Sequence, residues 1–251
     1  MLKRRIIPIM LLNGSRLVKT RIFADPRDVG DPVQSSKVYS DQDADELLFL
    51  QIDREGRRID PLVDAVARVA ASCFVPLTAG GGVVCLGDAA RLFAAGIDKV
   101  VVNSIVYLEP SVITNIAECF GRQAVVVGID VRSEGDEFAL YSDCGRRIEP
   151  VSLEKHISAV VAAGAGELMI QAIDHDGVMG GYDINLLRRV VAISPVPVIA
   201  AAGAGHFMHI KEAFDVGVDA AACGSLFNFG DNNPLRAKAF LKNYGIPLKK
   251  I

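Results

Sequence analysis

The sequence has no run approaching the roughly 18–20 uninterrupted apolar residues that a membrane-spanning helix needs, although 51% of its 251 residues are hydrophobic. No membrane partner is expected. The basic start, Lys3-Arg4-Arg5, opens onto the short apolar stretch Ile6 to Leu12. That stretch is too brief for the apolar core of a secretory signal and reads as a first strand. An excess of positive charge is also missing: Lys and Arg are dispersed and the formal net charge is -3, which disfavours nucleic acid as the principal partner and leaves a small anionic ligand open. Trp is absent, which excludes nothing further. The five cysteines (Cys73, Cys85, Cys119, Cys144, Cys223) are odd in number, lack CxxC spacing and mostly lie in apolar runs. They read as buried thiols of a chain in a reducing cytoplasm. His156, His175, His206 and His209 form no metal-ligand pattern, and no GxGxxG follows the first strand, so neither a metal nor a cofactor is expected.

What the sequence does have is an internal repeat. The segment Ala44 to Gly56 lies over Ala165 to Gly177 without a gap, at an offset of 121 positions. At the same offset Gly82 falls on Gly203, Gly96 on Gly217, Asp98 on Asp219 and Ser104 on Ser225. One spacing relating several segments is the signature of a duplicated architecture. Apolar runs begin near Arg5, Glu46, Phe74 and Asp98 in the first half and near Ala124, Glu167, Val196 and Asp219 in the second. The stretches between them are amphipathic at helical spacing, as in Pro61 to Val69 and Leu153 to Val161. Eight strands alternating with helices predict an α/β fold, a (β/α)₈ TIM barrel made of two repeated half-barrels. The chain is expected to form one domain, residues 1–251, with half-barrels at about 1–122 and 123–251. A doubly wound open sheet is the alternative.

In such a barrel the loops after the strands form the catalytic face, where backbone N–H groups grip phosphate. Gly80-Gly81-Gly82 follows the third strand and Asn103-Ser104 the fourth; the second half has Gly203-Ala204-Gly205, which starts at the match of Gly82, after the seventh and Gly224-Ser225, the match of Asn103-Ser104, after the eighth. Each copy alone could be an ordinary tight turn. Two copies at equivalent strand ends predict two phosphate sites on opposite sides of the mouth, and hence a phosphorylated small molecule with an anionic group at each end. Gly82, Asn103, Ser104, Gly203, Gly224 and Ser225 are the candidate ligands, with Gly177 in the loop after the sixth strand.

Many short motifs in one order then carry a resemblance. Lys3-Arg4-Arg5-Ile6-Ile7-Pro8, Val18-Lys19, Gly30-Asp31-Pro32, Asp45-Glu46-Leu47, Asp98-Lys99-Val100, Ile129-Asp130, Asp174-His175-Asp176-Gly177 and Gly181-Tyr182-Asp183 resemble, along nearly the whole chain, the cyclase subunit family of imidazole glycerol phosphate synthase. The resemblance implies a glutaminase subunit docked at the barrel's N-terminal face, with ammonia travelling up the axis to a bis-phosphorylated ribonucleotide. It maps the family's ammonia gate onto Arg5, Glu46, Lys99 and Glu167, and places Asp98 at the glutaminase interface. Each of the four gate residues lies close to a strand start, where two acids and two bases can neutralise one another. The bland reading is four solvated strand-start charges.

The active site departs from that family. Its acid–base pair is an aspartate ending the first strand and another ending the fifth; the second is present as Asp130, but Leu11 stands in place of the first. A leucine cannot move a proton. Gln51 replaces an aspartate, Gln171 a small hydroxyl residue, and Ala200-Ala201-Ala202-Gly203 stands for Ala-Ser-Gly-Gly. Lys19 survives, at the head of a segment (Thr20 to Val33) that reads as a mobile lid, and Asp176 points to the mouth as a second acid–base group. The expected catalytic residues are therefore Asp130, Lys19 and Asp176. His175 is a weaker candidate. The departures predict a divergent paralogue of the surface-polysaccharide type, using ammonia to make an acetamidino sugar. Authentic imidazole glycerol phosphate synthesis is the alternative, and a non-catalytic, anion-binding activator of a glutaminase is a third reading.

Overall fold

The computed structural model describes residues 3–53, 59–135 and 137–249. The repeat's Arg54, Glu55 and Gly56 lie outside them. The first half runs β1 (Arg5–Asn13), β2 (Arg16–Arg21), β3 (Ala24–Gly30), α1 (Pro32–Asp41), β4 (Leu47–Gln51), α2 (Asp60–Ala70), β5 (Leu77–Gly80), α3 (Leu86–Ala95), β6 (Lys99–Val102) and α4 (Ser111–Phe120). The second runs β7 (Val125–Glu134), β8 (Glu137–Ser142), β9 (Arg147–Glu149), α5 (Leu153–Ala163), β10 (Glu167–Ala172), α6 (Ile184–Ile193), β11 (Val198–Ala201), α7 (Phe207–Val216), β12 (Ala220–Cys223), α8 (Ser225–Asn228) and α9 (Pro234–Lys242). Eight of these strands pair in parallel in the order β1, β4, β5, β6, β7, β10, β11, β12, and β12 pairs back with β1. The sheet is closed, so the fold is a (β/α)₈ barrel and the open-sheet alternative is ruled out. Among the described residues no helix is long and apolar enough to cross a membrane.

Alternation along each strand sorts the apolar residues into two layers. On β1, Ile7, Ile9 and Leu11 join the interior cluster with Leu48, Leu50, Val101, Val126, Met169 and Ile199. Ile6, Met10 and Leu12 face outward into the larger cluster beneath the helices. The repeat is visible in local geometry. Gly96 and Gly217 end α3 and α7 in left-handed conformations, φ 110° and 114°. Asp98 and Asp219 each accept the N–H that opens a strand, Leu77 N at 2.8 Å and Val198 N at 3.0 Å.

Three expectations are corrected. The segment after Lys19 is an antiparallel ribbon, β2 with β3, rather than a loop. It is built because Leu17 and Val18 bury themselves against β1 while Asp31 caps α1, accepting from Val33 N and Gln34 N, with Pro32 in the first turn. The third and seventh strands begin later than the apolar runs suggested, at Leu77 and Val198; Phe74 is 95% exposed. Of the cysteines only Cys73 and Cys223 are buried: Cys85 and Cys119 are exposed and Cys144 is intermediate. An apolar run on an amphipathic helix has a wet side, which is where Cys119 falls.

Candidate functional site

Four charges close the floor of the barrel. Arg5 donates to Glu46 at 2.7 Å and to Glu167 at 2.9 Å; Lys99 donates to Glu46 at 2.9 Å and to Glu167 at 3.0 Å. The four form a closed ring of alternating sign rather than solvated strand-start charges. Burial alone would raise the Glu46 carboxyl, but Lys99 and Arg5 overcome it and hold its pKa below the ordinary value. Thr78, at the start of β5, gives Glu46 a further hydrogen bond of 2.6 Å. Its sequence signal is a lone hydroxyl at an inward strand position. Asp98 is outside the ring, exposed on the same end of the barrel, beside Phe74.

Two cavities open at the opposite end. The larger, about 200 Å³, lies over β4 to β7 and is lined by Gly82, Asn103, Ser104 and Asp130. The smaller, about 30 Å³, lies over β10 to β12 and is lined by Lys19, Asp176, Gly177, Gly203, Gly224 and Ser225. Leu11, Thr20 and Gln171 line both. The expected site residues at the mouth thus divide between two chambers that meet at Leu11. Gln51 lines the larger one only. The backbones at Asn103 (φ -141°, ψ -95°) and Gly224 (φ -103°, ψ -85°) repeat each other, each leading into a short helical turn that starts with serine.

The chambers differ in what the glycines do. A Cβ on Gly203 would sit 2.2 Å from Gly181 O, so packing of neighbouring loops alone requires glycine there. A Cβ on Gly224 would instead come 3.0 Å from Lys19 Nζ, so glycine keeps open the space beside a buried cation.

The titratable groups are tuned by burial. Asp130, 4% exposed at the end of the fifth barrel strand, is pushed up to about 7 by desolvation, with the Asn103 side-chain hydrogen bond opposing. Among the described residues one of its carboxylate oxygens has no hydrogen-bond partner. Lys19 is pushed down to about 8 by burial, opposed by the charge of Asp176, and its Nζ donates to Ile9 O at 2.7 Å. Asp176 is raised by burial against hydrogen bonds from Thr20 Oγ1 (2.6 Å) and Phe23 N (3.1 Å). A carboxyl near 7 and an ammonium near 8 can both exchange protons at neutral pH. His175 Nδ1 lies 2.7 Å from Gly181 O, which ties it to the loop packing at Gly203. Thr20 and Phe23 were missed from sequence because the ribbon that carries them was read as a loop. Among the described residues no group of His, Cys, Asp and Glu is placed to hold a metal ion.

The histidine biosynthesis protein family model matches residues 5–233. Imidazole glycerol phosphate synthase subunit HisF of Geobacillus kaustophilus is 41% identical over 99% of this chain and all of its own length. The HisF subunits of Chloroherpeton thalassium and Exiguobacterium sp. are 38% and 37% identical, each over 99% of this chain and over 100% and 97% of their own. These relatives give no support to the sugar-amidinating branch expected from Leu11. The chain belongs to the histidine biosynthesis protein family, alongside the HisF subunits of imidazole glycerol phosphate synthase.

Proposed function

We propose that the protein is the ammonia-accepting cyclase subunit of an imidazole glycerol phosphate synthase. The observation that carries this reading is the stacking along one barrel axis of a charge-closed floor, an apolar interior and a mouth holding the buried carboxylate of Asp130. An apolar interior passes neutral ammonia and rejects ammonium, since an unpaired ion there costs several kcal/mol. Ammonia enters at the Arg5, Glu46, Lys99 and Glu167 ring, which acts as the gate. A glutaminase subunit supplies it from the N-terminal face, where Asp98 and the exposed Phe74 offer a charged and an apolar contact.

At the mouth the ligand's two phosphates occupy the two chambers, at Gly82, Asn103 and Ser104 on one side and at Gly177, Gly203, Gly224 and Ser225 on the other. Asp130 moves the proton during ring closure. Asp176 and Lys19, on the far side of Leu11, serve the second transfer that the missing first-strand aspartate would otherwise perform. Purified chain supplied with the bis-phosphorylated ribonucleotide and an ammonium salt at alkaline pH forms the imidazole product, and Asp130→Asn slows it by about 10²–10⁴. Undetectable turnover would sink this reading.

Leu11 favours one second reading, ammonia transfer to a sugar-type substrate. A Leu11→Asp variant separates the two: under the cyclase reading it turns over at least tenfold faster than the native chain, because a second carboxylate contributes about 10²–10⁴ in rate where the reaction uses one. Unchanged or lower cyclisation would favour the other substrate.

A further inference from the structure

The larger chamber is lined by Asp53, Asp130 and Asp143 beside the turns at Gly82 and Ser104. The smaller chamber sets a cation, Lys19, beside its turns at Gly203 and Ser225. Among the described residues the larger chamber has a single basic lining residue, Arg147, on β9. We propose that the β8–β9 ribbon completes the larger phosphate subsite, with Arg147 as the cationic ligand of a phosphomonoester held at Ser104. This rests on the reading of that chamber as a phosphate site.

The ribbon is fastened to that subsite. The backbone N–H of Asp143, at its tip, donates to Ser104 Oγ at 2.9 Å. That bond occupies an acceptor of Ser104 and leaves its hydroxyl proton to be donated elsewhere. Asp143, Cys144 and Gly145 all have positive φ (52°, 55° and 76°), which turns the chain back so that β9 returns Arg147 alongside the mouth. The guanidinium is oriented from one edge, Nε donating to Glu149 Oε1 at 2.7 Å and to Ser142 Oγ at 3.0 Å. Glu149 is itself fixed by Ser142. A guanidinium held through Nε still has its terminal nitrogens, whose fork matches phosphate oxygens. Arg147 therefore answers in the larger chamber to Lys19 in the smaller, with a fork where the other has a point charge.

The test uses inorganic phosphate and the full chain, following amide shifts by nuclear magnetic resonance. In the native chain phosphate shifts the amides around Ser104 and around Ser225. Arg147→Gln is expected to weaken the Ser104 response at least tenfold and leave the Ser225 response unchanged; Arg147→Lys gives an intermediate loss. Because Arg147→Gln leaves Glu149 without its cation, Arg147→Gln with Glu149→Gln is measured beside it and shows the same selective loss. Affinity at Ser104 within twofold of native in the double variant would overturn the proposal. So would the lack of any response at Ser104 in the native chain, whereas the cyclase reading stands or falls on the ammonia assay with native protein.

Discussion

Thr20 donates its hydroxyl to the Asp176 carboxylate at 2.6 Å, joining the β2–β3 ribbon to the loop after the sixth barrel strand. Ile22 N donates to Asp176 O at 2.9 Å and Phe23 N to its carboxylate at 3.1 Å, so three bonds from one ribbon converge on one residue. The ribbon is a fastened cover: Phe23 closes on Gly145 of the facing ribbon, where an added Cβ would come 3.2 Å from the Phe23 ring. Both ribbons line the larger chamber.

Thr20→Val should loosen that cover and leave Asp176 short of a donor. A lost hydrogen bond to a charged group is worth about 1.5–3 kcal/mol. Loss of that bond raises Asp176 further, since the bond opposes its upward displacement. Expected is a lower turnover with a pH profile displaced upward, read from rate against pH. Thr20→Ser should restore both.

Asp130→Asn should cost about 10²–10⁴ in turnover while stabilising the fold at pH 8. The carboxyl is raised from 3.8 to about 7 in the folded chain, so between those values the folded state holds a proton that the unfolded state releases. Stability therefore falls as pH rises through that window and stays low above it. A displacement of about three pH units is worth up to about 4 kcal/mol. Urea midpoints of native and variant chains should coincide near pH 3 and separate by pH 8, with the variant higher.

Glu46→Gln should do the reverse. Its depressed pKa stabilises the folded chain above the ordinary carboxyl value, and that contribution is lost as pH falls through the folded value. Removing one partner from a buried ion cluster costs about 3–5 kcal/mol, leaving Arg5 and Lys99 to share Glu167. The variant should unfold earlier in urea at pH 7 and lose part of its acid transition. With the floor opened, ammonia-dependent rate is expected to change before phosphate binding does.

The barrel was legible in the sequence because a strand buried on both faces writes itself as an apolar run, and because the 121-residue offset repeats its turns. The four residues of the floor ring were legible through the family resemblance, with their places near strand starts as its physical support; Glu46 and Glu167 also fall on each other in the repeat. The cover was not. Arg16–Arg21 and Ala24–Gly30 contain charges, a proline and glycine in place of an alternating apolar pattern, since only Leu17 to Thr20 is buried on β2 and β3 is largely exposed. β9 is three residues long and has no buried residue, so nothing local marks Arg147 as facing the mouth. The resemblance sets Leu11 where its family carries a carboxylate, but the place of Leu11 on the wall shared by two chambers follows only from closure of the barrel.

Phe74→Ser tests the proposed partner face. At 95% exposure it buries nothing in the isolated chain, so stability should stay within about 0.5 kcal/mol. Association with the glutaminase subunit, followed by calorimetry, should weaken by about tenfold or more. Equal affinity would remove Phe74 from the interface.

The proposed function requires that Asp130 carry the proton for an ammonia-dependent cyclisation. It is tested most directly by the pH dependence of kcat/KM for the bis-phosphorylated ribonucleotide with ammonium salt at fixed free ammonia. The native chain should show an ionisation near 7 that vanishes, with most of the rate, in Asp130→Asn. A rate and profile unchanged by that substitution would contradict the claim.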